Sequence, residues 1–370
     1  MRVLVAPDAF KGTLSAPEAA RAMARGVIRA CPAAEIVQLP LADGGEGTLD
    51  AILTALPGER CHVHVPDAAG RPILAEYARL ADGSAVIEAA RVLGLTLPGV
   101  AQVPLSQRTS YGVGVLVQHA LHAGCRRLLV GLGGTATNDG GAGLLQALGV
   151  RLLAADGHVL PATPAGLLQL ARVDRTGLDA RLAGCSIDIL SDVDNPLCGA
   201  QGATQVYGPQ KGLQAADMEP LDAALGRYAA LLEGDTLALQ PGCGAAGGLG
   251  FALQWLGARY RSGAESVLDL LGFDRLLESA DWVLTGEGRS DRQTLHGKVP
   301  CAVARRARQA GVPVTLLSGQ IEVQAQDALS AQFDRLCAVA AGDDELSAAL
   351  REPAASLAAA AERAARMQVE

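Results

Sequence analysis

Lysine occurs only at positions 11, 211 and 298, and each has a glycine beside it, in FKGT, PQKG and HGKV. Glycine fills 44 of 370 positions, so three chance adjacencies have odds of about one in a hundred. A compact ammonium in a backbone-rich loop suits a phosphate as a point charge, where a planar guanidinium fits less well. The bland alternative is that polar turns attract both residues. A second concentration of glycine is GLGGTATNDGGAG, residues 131–143, directly after the apolar run Leu128-Leu129-Val130. So much flexible backbone costs conformational entropy. Two returns offset that cost: backbone N–H groups closing around phosphate oxygens, or a tight turn that lets a strand meet a helix.

Acids recur after apolar runs. Asp8 follows the first such run, Asp43 and Glu46 the second, Asp192 and Asp194 follow Ser186–Leu190, and Glu287 and Asp291 follow DWVLTG. Ligands of open α/β sheets collect beyond the carboxyl ends of strands. Carboxylates beside lysines and glycine loops are what Mg²⁺ with a nucleotide polyphosphate requires: oxygen ligands, neutralising cations and backbone donors. One loop Asp alone reads as a turn former or helix cap; the repetition carries the inference. His296, two residues before Lys298, is a further site-lining candidate, whereas His62, His64, His119 and His122 read as structural or surface residues.

Two enzyme classes compete for these residues. GLGGTA, residues 131–136, satisfies G-x-G-x-x-A after a strand, and Asp156 lies where a ribose-binding acid would be sought. That is the signature of an NAD(P)-dependent oxidoreductase of a small hydroxy acid. The helix-breaking run Thr137-Asn-Asp-Gly-Gly141 counts against it, because a Rossmann helix should already have begun there. No G-x-x-x-x-G-K-[ST] occurs, which excludes a P-loop enzyme. A non-catalytic two-lobed binder of small carboxylates is the third reading; it leaves the strand-end acids without a task.

The elements that must position these groups read as α/β. Val3–Ala6 is a buried strand, Ser15 and Glu18 form a capping box for a helix to about Ala30, and Glu35–Leu39 is a second strand. The stretch 61–90 alternates apolar and polar residues between turn signals, an antiparallel meander. A helix near Tyr111–His122 and strands ending at Val130, over Val150–Ala154 and over Ser186–Leu190 follow. From about 280 the βα grammar returns: DWVLTGEG as strand plus loop, helix CAVARRARQA, strands VPVTLLSG and LCAVAA, and a terminal Ala-rich helix from Asp344 interrupted near Pro353. Two similar blocks flanking a middle of different grammar predict a doubly wound parallel-sheet domain interrupted by an inserted α/β domain, with tandem domains as the alternative.

Bulk properties narrow the class. With 370 residues, 49% of them apolar, the chain is a well-buried globular protein of two domains. A net charge of −8 argues against nucleic acid and anionic membrane as partners. Eight scattered cysteines form no C-x-x-C pair, so no zinc site is expected. The N-terminal apolar run is too short for a signal peptide and no run approaches a membrane span, so the expected address is the cytoplasm. The expected partners are small-molecule substrates; a homo-oligomer is left open.

Together the motifs resemble the bacterial type I glycerate kinase family (glycerate 2-kinase). The matching segments are APDAFKGTLSA (6–16), PLADGGEGT (40–48), GLGGTATNDGGAGLLQALG (131–149), SDVDNPLCG (191–199), YGPQKG (207–212), GAAGGLG (244–250) and TGEGRSDRQTLHGK (285–298). Where the family tends to read Thr-Tyr-Gly-Thr-Gly-Glu, this chain has Ser110-Tyr-Gly-Val-Gly-Val115. The resemblance implies ATP-dependent phosphorylation of D-glycerate to 2-phosphoglycerate. It also implies a flavodoxin-like domain over 1–59 plus 275–370, an inserted α/β, mixed-sheet domain over 60–274, and an active site in the cleft between them. On that reading ATP is gripped by Lys11, Lys211, Gly133, Gly134, Thr135, Asn138, Asp139 and Gly286. Arg289 and Asp8 hold glycerate, and Glu287 and Asp291 are candidates for Mg²⁺. Lys298 serves catalysis, and the base is Asp192, with Asp43 second.

Overall fold

The computed structural model describes residues 1–295, 297–340 and 342–369; the candidate His296 lies outside them. The chain divides into two compact units, Met1–Asp43 with Asp50–Leu56 and Ser262–Glu370, and Gly44–Leu49 with Pro57–Arg261.

The first unit is an α/β layer structure. Its sheet runs Glu35–Gln38, Arg2–Val5, Trp282–Ser290, Val314–Ile321, Arg335–Ala338, every neighbouring pair parallel. Numbered along this unit, the order is 2-1-3-4-5, the flavodoxin-like arrangement. Chain order reverses between Arg2–Val5 and Trp282–Ser290, and connections leave those two strands in opposite directions, opening a crevice at their carboxyl ends. Val3, Val5, Leu284 and Leu317 are buried on one face of the sheet, against Ala19, Ala20 and Met23 of the helix Ala16–Ala30 and Ala360, Ala361 and Ala364 of the helix Pro353–Val369. Leu4, Val283 and Leu316, one residue out of phase, are equally buried on the other. The expected capping box is present: Glu18 Oε2 accepts from the Ser15 amide at 2.9 Å and from Ser15 Oγ at 2.7 Å.

DWVLTGEG is not a strand followed by a loop. The strand continues to Ser290, with Arg289 opposite Gln320 and Ser290 opposite Ile321. Extended backbone therefore carries Glu287 and Arg289, which point to the same side by strand alternation.

The second unit holds a mixed six-stranded sheet in the order Arg259–Arg261, Ser186–Leu190, Arg127–Gly131, Ala85–Glu88, Pro72–Leu80, Gly58–Pro66. The meander expected over 61–90 is present as two antiparallel pairings, but its last strand also pairs in parallel with Arg127–Gly131. Glu88 thus stands at the carboxyl end of a parallel strand. A small antiparallel pair, Arg151–Leu153 with Arg172–Asp174, completes the unit.

Candidate active site

The first unit collects its charged candidates at the crevice its topology creates. Asp8, Lys11, Asp43, Glu287, Arg289, Asp291 and Lys298 line one cavity of about 280 Å³. Asp8 comes from the turn after Arg2–Val5, Asp43 from the loop after Glu35–Gln38, and Glu287 and Arg289 from the long central strand. Lys298 is the residue before the helix Val299–Gln309. Leu14, Val339, Leu346, Leu350 and Leu357 line the same cavity and give it apolar surface. Reading the sequence found the charges and missed this wall, because the two C-terminal helices show only amphipathic spacing.

Burial and charge set the local electrostatics. Asp8 is buried, its Oδ1 accepts from the Ala9 amide at 2.6 Å, and burial together with the nearby Asp43 carboxylate pushes its carboxyl well above the usual range. Glu287 is raised mainly by burial, against the opposing pull of Thr294 and Lys298. Lys298 Nζ sits 3.7 Å from Glu287 Oε2 and 3.9 Å from Asp291 Oδ1. Arg289 pairs with Glu322. Gly286 serves packing: a Cβ there would meet the Leu317 carbonyl oxygen at 2.1 Å, and its own carbonyl accepts from the Asp8 amide.

The second unit treats the glycine-rich segment differently. A Cβ on Gly133 would lie 2.4 Å from Gly45 Cα, and the Gly133 amide donates to the Gly44 carbonyl. The glycines of LADGGEG and GLGG thus let two backbones touch. Gly134 is left-handed, with φ +71°, its carbonyl accepting from Leu95, and buried Thr135 bridges to Gly94. Asp139, raised by burial, accepts from the Ser110 amide and hydroxyl at 2.7 and 2.8 Å and from the amides of Gly141 and Gly143. Asn138 Nδ2 donates to Thr204 Oγ1 at 2.9 Å. Lys211 is buried and its ammonium donates to the Thr137 carbonyl at 2.8 Å; burial pulls its pKa down to about 8. So the amides of Gly133, Ala136, Gly140, Gly141 and Gly143 all have protein partners.

Asp192 follows Ser186–Leu190 in a loop held by Ser191 Oγ, which accepts from the Val193 amide, and by Tyr260, whose hydroxyl donates to the Val193 carbonyl. Sequence reasoning missed Glu88, a buried carboxylate that accepts the amides of Gly47 and Leu49 at 3.1 Å each. The strand-end rule points to Glu88 only once Ala85–Glu88 is seen to pair in parallel with Arg127–Gly131, which the alternating pattern of a meander does not signal. Val115, at the position where the family tends to carry an acid, packs against the apolar core.

An open, flavodoxin-ordered sheet with a charged cavity at its switch point defines a ligand-binding α/β enzyme of the doubly wound class. The comparisons make this specific. The model of the glycerate kinase family matches residues 3–369. A glycerate kinase of Bacillus subtilis (strain 168) is 42% identical over 352 residues, 92% of this chain and 91% of that protein. A glycerate 2-kinase of Escherichia coli (strain K12) is 39% identical, over 97% of this chain and 98% of its own length. The crystal structure of a protein provisionally named glycerate kinase 2, from Salmonella typhimurium LT2, superposes with a TM-score of 0.86 and 42% identity, covering 100% of this chain and 98% of that one. The chain belongs to the glycerate kinase family, and it is a kinase. Its dehydrogenase and binder alternatives fall with that assignment.

Proposed function

We propose that the chain phosphorylates D-glycerate from ATP, at the 2-hydroxyl, giving 2-phosphoglycerate. The observation that carries this reading is the mixed lining of the first unit's cavity, where Lys11 and Lys298 stand among carboxylates and leucines supply apolar surface. Triphosphate oxygens match the ammonium groups, and a purine matches the apolar wall. The regiochemistry is supported by the name of the Escherichia coli relative.

Phosphoryl transfer needs positioning and charge neutralisation more than covalent help. The substrate hydroxyl oxygen forms a bond to the γ-phosphorus, the bond from that phosphorus to the bridging oxygen breaks, and ADP leaves. The hydroxyl proton passes to a carboxylate. We assign that role to Asp192, supported by its place in a hydrogen-bonded loop beyond a parallel strand, with Asp43 as the alternative. Arg289 is assigned to the glycerate carboxylate, and Lys11 and Lys298 to phosphate oxygens. Lys211, Gly133, Gly134, Thr135, Asn138, Asp139 and Gly286 are assigned to architecture, supported by the contacts given above, although among the described residues Thr137 Oγ1 and Asn138 Oδ1 are buried without a hydrogen-bond partner.

Mg²⁺ usually binds through one or two carboxylates plus substrate phosphates. Among the described residues no three His, Cys, Asp or Glu side chains cluster as a metal cage. Asp8 and Asp43, two carboxylates close enough for one to raise the other, would hold the cation; Glu287 and Asp291 already face Lys298. Bound there, the cation neutralises charge on the transferring phosphoryl group. Incubation with Mg²⁺, ATP and D-glycerate, followed by phosphorus NMR, should show ADP and a new 2-phosphate ester. A 3-phosphate ester would overturn the regiochemistry, and unconsumed ATP would overturn the activity.

A further inference from the structure

Glu287 divides its two carboxylate oxygens between different tasks. Oε1 accepts from Thr294 Oγ1 at 2.6 Å and from Ser290 Oγ at 3.0 Å, while Oε2 faces the Lys298 ammonium. Thr294 is fully buried, and its hydroxyl is used in both directions: it donates to Glu287 and accepts from the Asp291 amide at 3.1 Å. The Thr294 amide in turn donates to Asp291 Oδ1 at 3.3 Å. The hydroxyl therefore ties the Glu287 carboxylate to the Asp291 backbone, while the Thr294 amide holds the Asp291 carboxylate, so one residue braces both acids that flank Lys298. A hydroxyl has one hydrogen to give and lone pairs to accept with, so a side chain without one cannot make either bond.

We propose that Thr294 is a positioning residue for phosphoryl transfer: its hydroxyl fixes Glu287 and the Asp291 turn, and these two carboxylates aim the Lys298 ammonium into the cavity. This rests on the reading that Lys298 contacts the nucleotide's phosphates. Long lysine side chains carry much rotamer freedom. An ammonium held between two fixed carboxylates arrives at a phosphate with less of that freedom left to lose. The hydroxyl donor of Ser preserves the arrangement, and the isosteric Val abolishes it.

The experiment compares Thr294→Val, Thr294→Ser, Lys298→Met and the Thr294→Val/Lys298→Met double variant, by steady-state kinetics with Mg²⁺-ATP and D-glycerate and by thermal unfolding. Thr294→Val should lower kcat/KM for ATP roughly tenfold, and Thr294→Ser should stay within about threefold of the parent. On the Lys298→Met background the valine should cost nothing further in kcat/KM, although it lowers Tm by the same amount on both backgrounds. That pattern separates aiming of the lysine from simple loss of stability. If Thr294→Val does not fold, Thr294→Ala carries the same expectation. Parent-like kinetics for Thr294→Val, equal losses for Ser and Val, or losses that multiply on the Lys298→Met background would each overturn the proposal. Parent-like turnover of Lys298→Met would instead overturn the role given to the lysine itself.

Discussion

The two units use the same residue types, Asp, Lys and Gly, to opposite ends. In the first unit, Asp8, Lys11, Asp43 and Lys298 line an open cavity beyond the strand ends. In the second, Thr137, Asn138, Asp139 and Lys211 are buried. There the lysine holds a carbonyl, and the aspartate gathers a hydroxyl and three amides. What distinguishes the two groups is access: the first lines a cavity, and the second is enclosed by protein. A motif does not reveal that, because enclosure depends on backbone brought in from elsewhere in the chain.

The largest effect that could break this contrast concerns the base. Asp192 is the one residue of the second unit given a chemical task. Asp192→Asn should lower kcat by about a thousandfold, within the usual range for removing a general base, while the KM for ATP changes little. Asp43→Asn is the companion variant, because Asp43 is the alternative base. If Asp43→Asn shows the collapse and Asp192→Asn keeps its turnover, the contrast sharpens: all the chemistry would then belong to the first unit.

Gly133→Ala tests the glycine-rich segment directly. The added methyl group would sit 2.4 Å from Gly45 Cα, a clash with backbone that no rotamer change relieves. Such overpacking should cost about 2–3 kcal/mol in urea unfolding, with the KM for ATP unchanged at permissive temperature. A raised KM with parental stability would mean that the segment cradles phosphate after all.

This is also where the sequence was least legible. Strand positions followed from apolar runs and helix starts from a capping box, both of which are local signals. The doubly wound order was likewise within reach, since it follows from alternating βα grammar at the two ends of the chain. Gathering of the first unit's acids and lysines followed from the strand-end rule. By contrast, the closeness of Gly133 to Gly45, separated by 88 positions, has no local signal. Thr294 was invisible for a related reason: its hydroxyl matters only once the strand is seen to continue to Ser290 and the next turn folds back on Glu287. The apolar wall of Leu346, Leu350 and Leu357 reads in sequence as ordinary helix amphipathicity.

Lys211 offers a pH-dependent test of burial in the second unit. Its unfolded pKa is about 10.4, and the folded value is about 8. Between these values the unfolded chain binds more protons than the folded one, so unfolding free energy rises with pH. Below pH 8 the lysine is charged in both states and the cost of burying it is present in full, on the order of 3 kcal/mol. That cost disappears as pH climbs through the window to about 10.4. Urea unfolding of the parent and of Lys211→Met at pH 7.5 and 10 should show the parent gaining stability relative to the variant. Parallel profiles would mean that the ammonium is solvated, which would return Lys211 to the list of candidate ligand contacts.

The smallest effect probes strain in the same unit. Ala246, Gly247 and Gly248 are three successive left-handed residues, with φ of 53°, 67° and 92°. Glycine is obligatory at 247, where a Cβ would meet the Thr137 carbonyl oxygen at 2.0 Å. Alanine at 246 has no such excuse, and a left-handed alanine costs about 1 kcal/mol. Ala246→Gly removes that cost and returns part of it as extra freedom of the unfolded chain. The net expectation is a gain of about 0.5 kcal/mol, read as a higher urea midpoint at unchanged m-value, with kcat equal to the parent's. Strain stored at active sites behaves differently, since relieving it raises stability and lowers turnover together. If Ala246→Gly stabilises the protein and slows it, then the backbone beside Thr137 and Asn138 takes part in the reaction, and the division between a chemical unit and an architectural one does not hold.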